Sequence, residues 1–171
     1  TDFILEAVIL SLKELPLLNS VTDGTVIRWR SSVDLGMAVA LDEGLVVPVI
    51  WQAENLSLKE LHDKSQDLAV RARDGKLLPD EMSGSSFTVS NMGMMNVECF
   101  NAIINPGEAA ILAVASTIPT PVVSDGKVVV RQMMKITLST DHRLVDGKMG
   151  AEFVNAVKNK LEDIELWKSL T

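Results

Sequence analysis

One of the two histidines in this 171-residue chain, His142, stands in the stretch STDHRLVDG, with Arg143 beside it and Asp146 and Gly147 closing the motif. The stretch joins a strand-like run, QMMKITL, to a helix-like run, GAEFVNAVKNKL. A neutral imidazole with one nitrogen free accepts a proton from a hydroxyl or a thiol at neutral pH. Such a base works with a group that receives developing negative charge. The strand-like FTVSN offers Ser90 and Asn91 at its end, with Met92 next. The H-x-x-x-D-G spacing also fits a plain turn, in which Asp146 caps the last helix while His142 and Arg143 bond the turn. On residue types alone both readings stand.

The remaining polar residues add little chemistry. His62 lies among Asp63 and Lys64 on a helix-like run and reads as part of a solvated face. With two histidines, one cysteine and no ligand-like spacing, no metal site is expected. Neither G-x-G-x-x-G nor a P-loop occurs, so there is no nucleotide fingerprint. The eight methionines read first as core filler, but Met92, Met94, Met95, Met133, Met134 and Met149 flank the candidate site. Flexible apolar side chains of that kind also suit the wall of a channel for a long acyl or pantetheine arm.

Bulk properties bound the class. The length suits one domain with a proper core, and 47 % hydrophobic with 23 % charged residues is ordinary globular composition. A formal net charge of -7, from 16 basic and 23 acidic residues, gives no general attraction for nucleic acid or anionic lipid. The opening FILEAVIL holds Glu6, follows Asp2 and has no basic lead-in, so it reads as a soluble helix and neither a signal peptide nor a membrane span. The lone Cys99 excludes an internal disulfide and reads as a small buried hydrophobe.

These residues need elements to position them. In TDFILEAVILSLKELP, Ile4, Val8, Leu12 and Leu15 recur at helical spacing, one face of the helix is core, and Pro16 ends it. GTVIRWR and VDLGMAVAL alternate like strands, DEG turns the chain, and LVVPVI returns, with Pro48 away from a central ladder position. Ser57 and Glu60 match a capping box, Leu58, Leu61, Leu68 and Ala72 form a stripe, and Gly75 ends that helix. SFTVSN reads as a strand entering the loop MGMMN, and EAAILAVAS as a buried strand. PVVSDGKVVV is a hairpin tipped by Asp125-Gly126. The last helix carries Phe153, Val154, Val157 and Leu161. The order is mixed α+β.

Four stretches together carry a resemblance: VDLGMAVALDEGLVVPVI, LAVRARDGKLLPDEM, GSSFTVSNMGMMNVECFNAIINPGEAAILAV and VVRQMMKITLSTDHRLVDG. They are similar to the catalytic domain of the dihydrolipoamide acyltransferases, the E2 cores of 2-oxoacid dehydrogenase complexes, over nearly the whole chain. The resemblance implies an α+β, chloramphenicol-acetyltransferase-like fold across residues 1–171, without the helix and strand that begin the family's domain and without a lipoyl or peripheral subunit-binding domain. It implies transfer of an acyl group, acetyl favoured by FNAIINP, from acyl-dihydrolipoamide to coenzyme A. His142 would be the base, Asp146 its supporting partner and Ser90 the oxyanion donor, with Asn91, Met92, Arg143 and Gly147 along the channel. Coenzyme A is then a substrate, the lipoyl group rides on a separate domain, and no metal takes part. The implied partners are the lipoyl domain, the decarboxylase and dihydrolipoamide dehydrogenase components, and copies of the chain itself in a trimer or larger core, with no nucleic acid or membrane. The implied setting is a bacterial cytoplasm, favoured, or a mitochondrial matrix.

Three other readings compete. Chloramphenicol acetyltransferase shares the H-x-x-x-D-G core but usually has a second histidine where this chain has Asp141. A serine hydrolase would need a G-x-S-x-G elbow, which TVSNMG lacks. A non-catalytic core subunit has no reason to keep both His142 and Ser90. The C-terminal LEDIELWKSLT, with Leu166, Trp167 and Leu170, is expected to dock on a neighbouring subunit.

Overall fold

The computed structural model describes residues 1–170. Nine strands and four α-helices follow one another as α1 (Asp2–Glu14), β1 (Ser20–Thr22), β2 (Ile27–Trp29), β3 (Leu35–Met37), β4 (Val39–Leu41), β5 (Gly44–Val46), β6 (Val49–Ile50), α2 (Leu58–Arg73), β7 (Phe87–Asn91), β8 (Ala110–Ser124), β9 (Lys127–Thr140), α3 (Gly147–Glu162) and α4 (Ile164–Leu170). The main sheet has the order β6-β3-β7-β8-β9. β3, β7 and β8 run parallel, while β6 and β9 are antiparallel edges. This is the mixed sheet of an α+β fold, with two small antiparallel pairs, β1-β2 and β4-β5, beside it.

The helices stack on this sheet. α3 packs against β9, α2 against β4, and α1 lies between α2 and α3. That position explains why α1 departs from the one-faced helix its spacing suggests: Leu5, Glu6, Ala7, Val8, Ile9, Ser11 and Leu12 are all buried. A helix with neighbours on two sides needs apolar or small residues around most of its circumference. Pro16 begins the short 3₁₀ turn that follows it.

Local signals are met closely. Ser57 Oγ accepts from the Glu60 backbone N–H while Glu60 accepts from Ser57 N, a complete capping box. α2 buries Leu61, Ser65, Leu68 and Ala72. At the β8-β9 turn, Asp125 and Gly126 have φ of 51° and 73°, as a type I′ turn requires.

Two differences matter for the site. The run VDLGMAVAL is two strands, because Ala38 N donates to Val89 O and the chain then leaves the sheet to pair with β5. EAAILAVAS, the PVVSDGKVVV hairpin and QMMKITLS merge into two long strands, with one irregularity between Val114 and Thr117. The inner half of β8, Ala110 to Ser116, is buried, whereas beyond it exposed and half-buried residues alternate. A strand covered on both faces reads as a continuous apolar run, and one covered on a single face alternates. Phe87 of β7 and Phe153 of α3 meet at 5.2 Å between ring centroids in the core between sheet and helices.

Candidate active site

His142 sits in the loop that closes β9. Asp141 N donates to Ala109 O at 2.8 Å, tying the loop to the entry of β8. Leu144 N and Val145 N both donate to Asp141 O, forming a tight turn anchored by the fully buried Val145. Arg143 returns to Asp141 with Nη2 to Oδ2 at 2.6 Å, and those bonds hold the Asp141 carboxyl below its usual range. Asp146 Oδ1 accepts from Met149 N at 2.8 Å and caps α3, with Gly147 as the first helical residue.

The plain-turn reading therefore holds for Asp146 and Arg143. It does not hold for His142, which is exposed and makes no hydrogen bond within the described chain. The turn spends its polar groups on fixing itself, and the imidazole is left over.

Ser90 is half-buried near the end of β7, between β3 and β8. Its hydroxyl has no hydrogen-bond partner in the described chain. It opens on a pocket of about 240 Å³ whose apolar wall includes Leu45, Val47, Met92, Phe100 and Ile103, with no Lys, Arg, Asp or Glu in the lining. Asn91 is not in that lining: its Oδ1 accepts from Gly93 N at 2.8 Å and its Nδ2 donates to Thr1 Oγ1 at 3.3 Å. Of the channel candidates, Met92 accompanies Ser90, Arg143 and Gly147 accompany His142, and Asn91 serves a turn.

The two halves do not meet within one chain. Ser90 pairs with Ala113 of β8, whereas the His142 loop is tied to Ala109. Four residues of strand and two strand spacings correspond to roughly 13 Å along the sheet and about 10 Å across it.

Three polar residues beside Ser90 carry no recognisable spacing. Thr88 lies two residues before Ser90 and shares its face of β7. Its Oγ1 donates to Glu108 Oε1 at 2.8 Å, and Asn105 Nδ2 donates to that Oγ1 at 2.8 Å. Glu108 is 3 % exposed, and burial pushes its carboxyl up despite the donors Ser85, Thr88 and Asn105. The one signal in the sequence was the turn chemistry of Asn105-Pro106-Gly107-Glu108, which reports a turn and not its neighbours.

Cys99 is exposed, correcting the buried reading. It lies in the loop between β7 and β8, with Sγ 3.8 Å from Thr137 Oγ1; a residue type's average burial says nothing about a segment outside the layers. His62 pairs with Asp2 at 2.9 Å while remaining half exposed. Trp167 of α4 turns back onto its own chain, its ring edge-on to Phe3 at 4.9 Å. Part of the apolar tail expected to face a neighbour is thus satisfied internally, while Ile164 stays exposed. Among the described residues no cluster of three or more His, Cys, Asp or Glu is placed to hold a metal ion. No described helix is long and apolar enough to cross a membrane.

A profile of the 2-oxoacid dehydrogenases acyltransferase (catalytic domain) family matches residues 1–168, and the chain belongs to that family. It is 41 % identical over 161 residues to the dihydrolipoyllysine-residue acetyltransferase component of the pyruvate dehydrogenase complex of Rickettsia felis, covering 94 % of this chain and 39 % of that protein. It is 40 % identical over 162 residues to the dihydrolipoyllysine-residue succinyltransferase component of the 2-oxoglutarate dehydrogenase complex of Cupriavidus necator, covering 95 % of this chain and 39 % of that protein. The chain thus spans about two-fifths of the length of these curated relatives.

The structure matches Azotobacter vinelandii dihydrolipoamide acetyltransferase with a TM-score of 0.90 at 36 % identity, covering 96 % of this chain and 68 % of that one. That enzyme was studied for the catalytic role of a serine, a histidine 52 residues later and an asparagine four residues beyond. A chloramphenicol acetyltransferase shares the fold alone, with a TM-score of 0.60 at 14 % identity, covering 94 % of this chain and 76 % of that one.

Proposed function

We propose that the chain transfers an acetyl group from acetyl-dihydrolipoamide to coenzyme A, as the catalytic part of a 2-oxoacid dehydrogenase complex. The observation that carries this reading is the state of two side chains: a serine hydroxyl unpartnered at the rim of an apolar pocket, and an imidazole left free by a turn that bonds everything else. The spacing supports the roles. Ser90 to His142 is 52 residues and His142 to Asp146 is four, the same intervals as in the Azotobacter enzyme, with aspartate in place of asparagine.

In the proposed reaction His142 takes the proton from the coenzyme A thiol. The thiolate adds to the thioester carbonyl of acetyl-dihydrolipoamide, and the tetrahedral oxyanion accepts a hydrogen bond from the Ser90 hydroxyl. Collapse breaks the original carbon–sulfur bond, and the dihydrolipoyl sulfur recovers the proton. No acyl-enzyme is required, because bringing the two thiols together supplies a large part of the rate. Since Ser90 and His142 of one chain lie far apart, His142 reaches Ser90 from a second copy. A closed ring of three copies with one site at each junction fits that need.

Acetyl is favoured over succinyl by the pocket. Within one chain the pocket at Ser90 offers a succinyl carboxylate no cation; Arg30 in the adjoining cavity and Arg143 beside His142 already face Asp34 and Asp141, and an unpaired charge in such a place is costly. The test is transfer to coenzyme A from acetyl- and succinyl-dihydrolipoamide by the protein in its native assembly. At least tenfold preference for acetyl is expected. Equal rates, or preference for succinyl, would overturn the acyl assignment, and no transfer from either would overturn the activity.

A further inference from the structure

Asn105 to Glu108 form a turn in which Glu108 N donates to Asn105 O at 3.1 Å, Pro106 takes the second position and Gly107, with φ of +92°, the third. A positive φ at that position is the mark of a type II turn and suits glycine. The turn is pinned from outside, because Thr22 N donates to Gly107 O at 2.8 Å and Ala109 N donates to Ser20 O at 3.1 Å. The backbone under Asn105 is therefore rigidly placed.

The side chain is fixed as well. Asn105 Nδ2 donates to Thr88 Oγ1 at 2.8 Å and to Glu108 Oε1 at 3.3 Å. Glu108 Oε1 is an acceptor, already taking the Ser85 and Thr88 hydroxyl protons, so the NH₂ side of the amide must face it. Both Asn105 N–H bonds are then used, and its Oδ1 has no partner in the described chain.

The side chain that carries this oxygen borders two cavities. Asn105 lines the pocket of about 240 Å³ that holds Ser90 and also a larger one of about 570 Å³ bounded by Arg30, Met82, Gly84 and Ser85. Leu45 and Val47 line both as well, so the two cavities adjoin; the one at Ser90 is mostly apolar, and the larger one is also bordered by Arg30, Ser83, Ser85 and Glu108. An extended arm threading these cavities with a thiol or thioester at Ser90 passes Asn105 about two residues of strand away, roughly 7 Å.

We propose that Asn105 is a substrate-positioning residue whose side-chain oxygen accepts the amide N–H of a thiol substrate's arm, with Glu108 and Thr88 holding the amide in that orientation. The proposal rests on the acyl-transfer reading of the site. Both thiol substrates of that reaction carry an amide N–H on the arm that bears the sulfur, close to it in the pantetheine of coenzyme A and at the far end of the alkyl chain in dihydrolipoamide, so the shared chemistry is that of an amide on a flexible thiol arm.

The experiment is calorimetric titration of the protein in its native assembly with coenzyme A and with dihydrolipoamide. Asn105→Ala should weaken one of the two about tenfold, the scale of one net hydrogen bond, and the ligand that responds identifies the arm. Glu108→Gln, which can present its oxygen to the same three donors, should bind like wild type, whereas Glu108→Ala should behave like Asn105→Ala. Wild-type protein gives a check that depends on no variant. Dihydrolipoamide should outbind methyl dihydrolipoate, or pantetheine its ester analogue, by a similar factor.

Equal binding of amide and ester by the wild type would overturn the proposal. So would an Asn105→Ala loss that is the same for amide and ester, which would mark a purely structural role. Amide-dependent binding in a protein that fails to transfer acyl groups would sink the proposed reaction and leave the role of Asn105 standing.

Discussion

Ser90 and His142 lie apart on the same sheet: Ser90 is in register with Ala113, while the His142 loop is bound to Ala109, four residues earlier on β8, and follows β9, two strands from Ser90. If the two act together as proposed, different copies of the chain must supply them to one site. Chains impaired at one residue should then rescue chains impaired at the other. After co-folding Ser90→Ala and His142→Ala chains in equal amounts, about a quarter of wild-type transfer should return, one half times one half for each junction of a cyclic trimer. Verified mixed trimers showing only the mean of the two mutant activities would rule the shared site out.

His142→Ala should lower turnover by roughly 10²-fold to 10⁴-fold, the usual contribution of a positioned base. Because the ring makes no hydrogen bond in the described chain, the thermal midpoint should barely move. Near-normal turnover would remove His142 from the chemistry.

Ser90→Ala should cost about 10²-fold to 10³-fold in rate constant and leave residual activity, as loss of one oxyanion donor does. A covalent acyl group trapped on Ser90 by mass spectrometry would instead mark it as a nucleophile.

Asp146 separates stability from chemistry. Asp146→Ala removes the cap of α3 and should cost about 1 kcal/mol in denaturant unfolding. Asp146→Asn keeps an accepting oxygen for Met149 N and should retain both the cap and most of the activity. A large loss of activity in a stable Asp146→Asn protein would show that the negative charge itself is needed.

Glu6 predicts a pH dependence. It is buried on α1, its Oε2 has no partner, and burial pushes its carboxyl up despite Lys13. With a folded value above the unfolded one, the folded state holds the proton longer, so stability falls as pH rises from the ordinary glutamate value through the raised one. Glu6→Gln should raise the thermal midpoint by about 3 °C at pH 8, and the two proteins should converge below pH 4. A constant difference across that range would refute the assignment.

Much of this protein was decided by short stretches of sequence. Ser57 and Glu60 form their box and Asp125-Gly126 its turn because the interacting groups are within a few residues, and local geometry leaves few alternatives. The His142 turn was legible for the same reason, down to Asp146 as the cap. What no local pattern could decide is where those pieces meet. The separation of Ser90 from His142 follows from β7 running parallel to β8 while β9 runs back, pairings between segments some twenty to thirty residues apart beside the site. The all-round burial of α1 follows from its place between two helices, and the exposure of Cys99 from lying outside the layers. The border of the two cavities, with Thr88, Asn105 and Glu108 in one network, exists because a pinned turn is folded against a distant strand. Such contacts depend on the packed arrangement of layers, whose free energy comes from burial summed over the whole chain, and not from any single stretch of it.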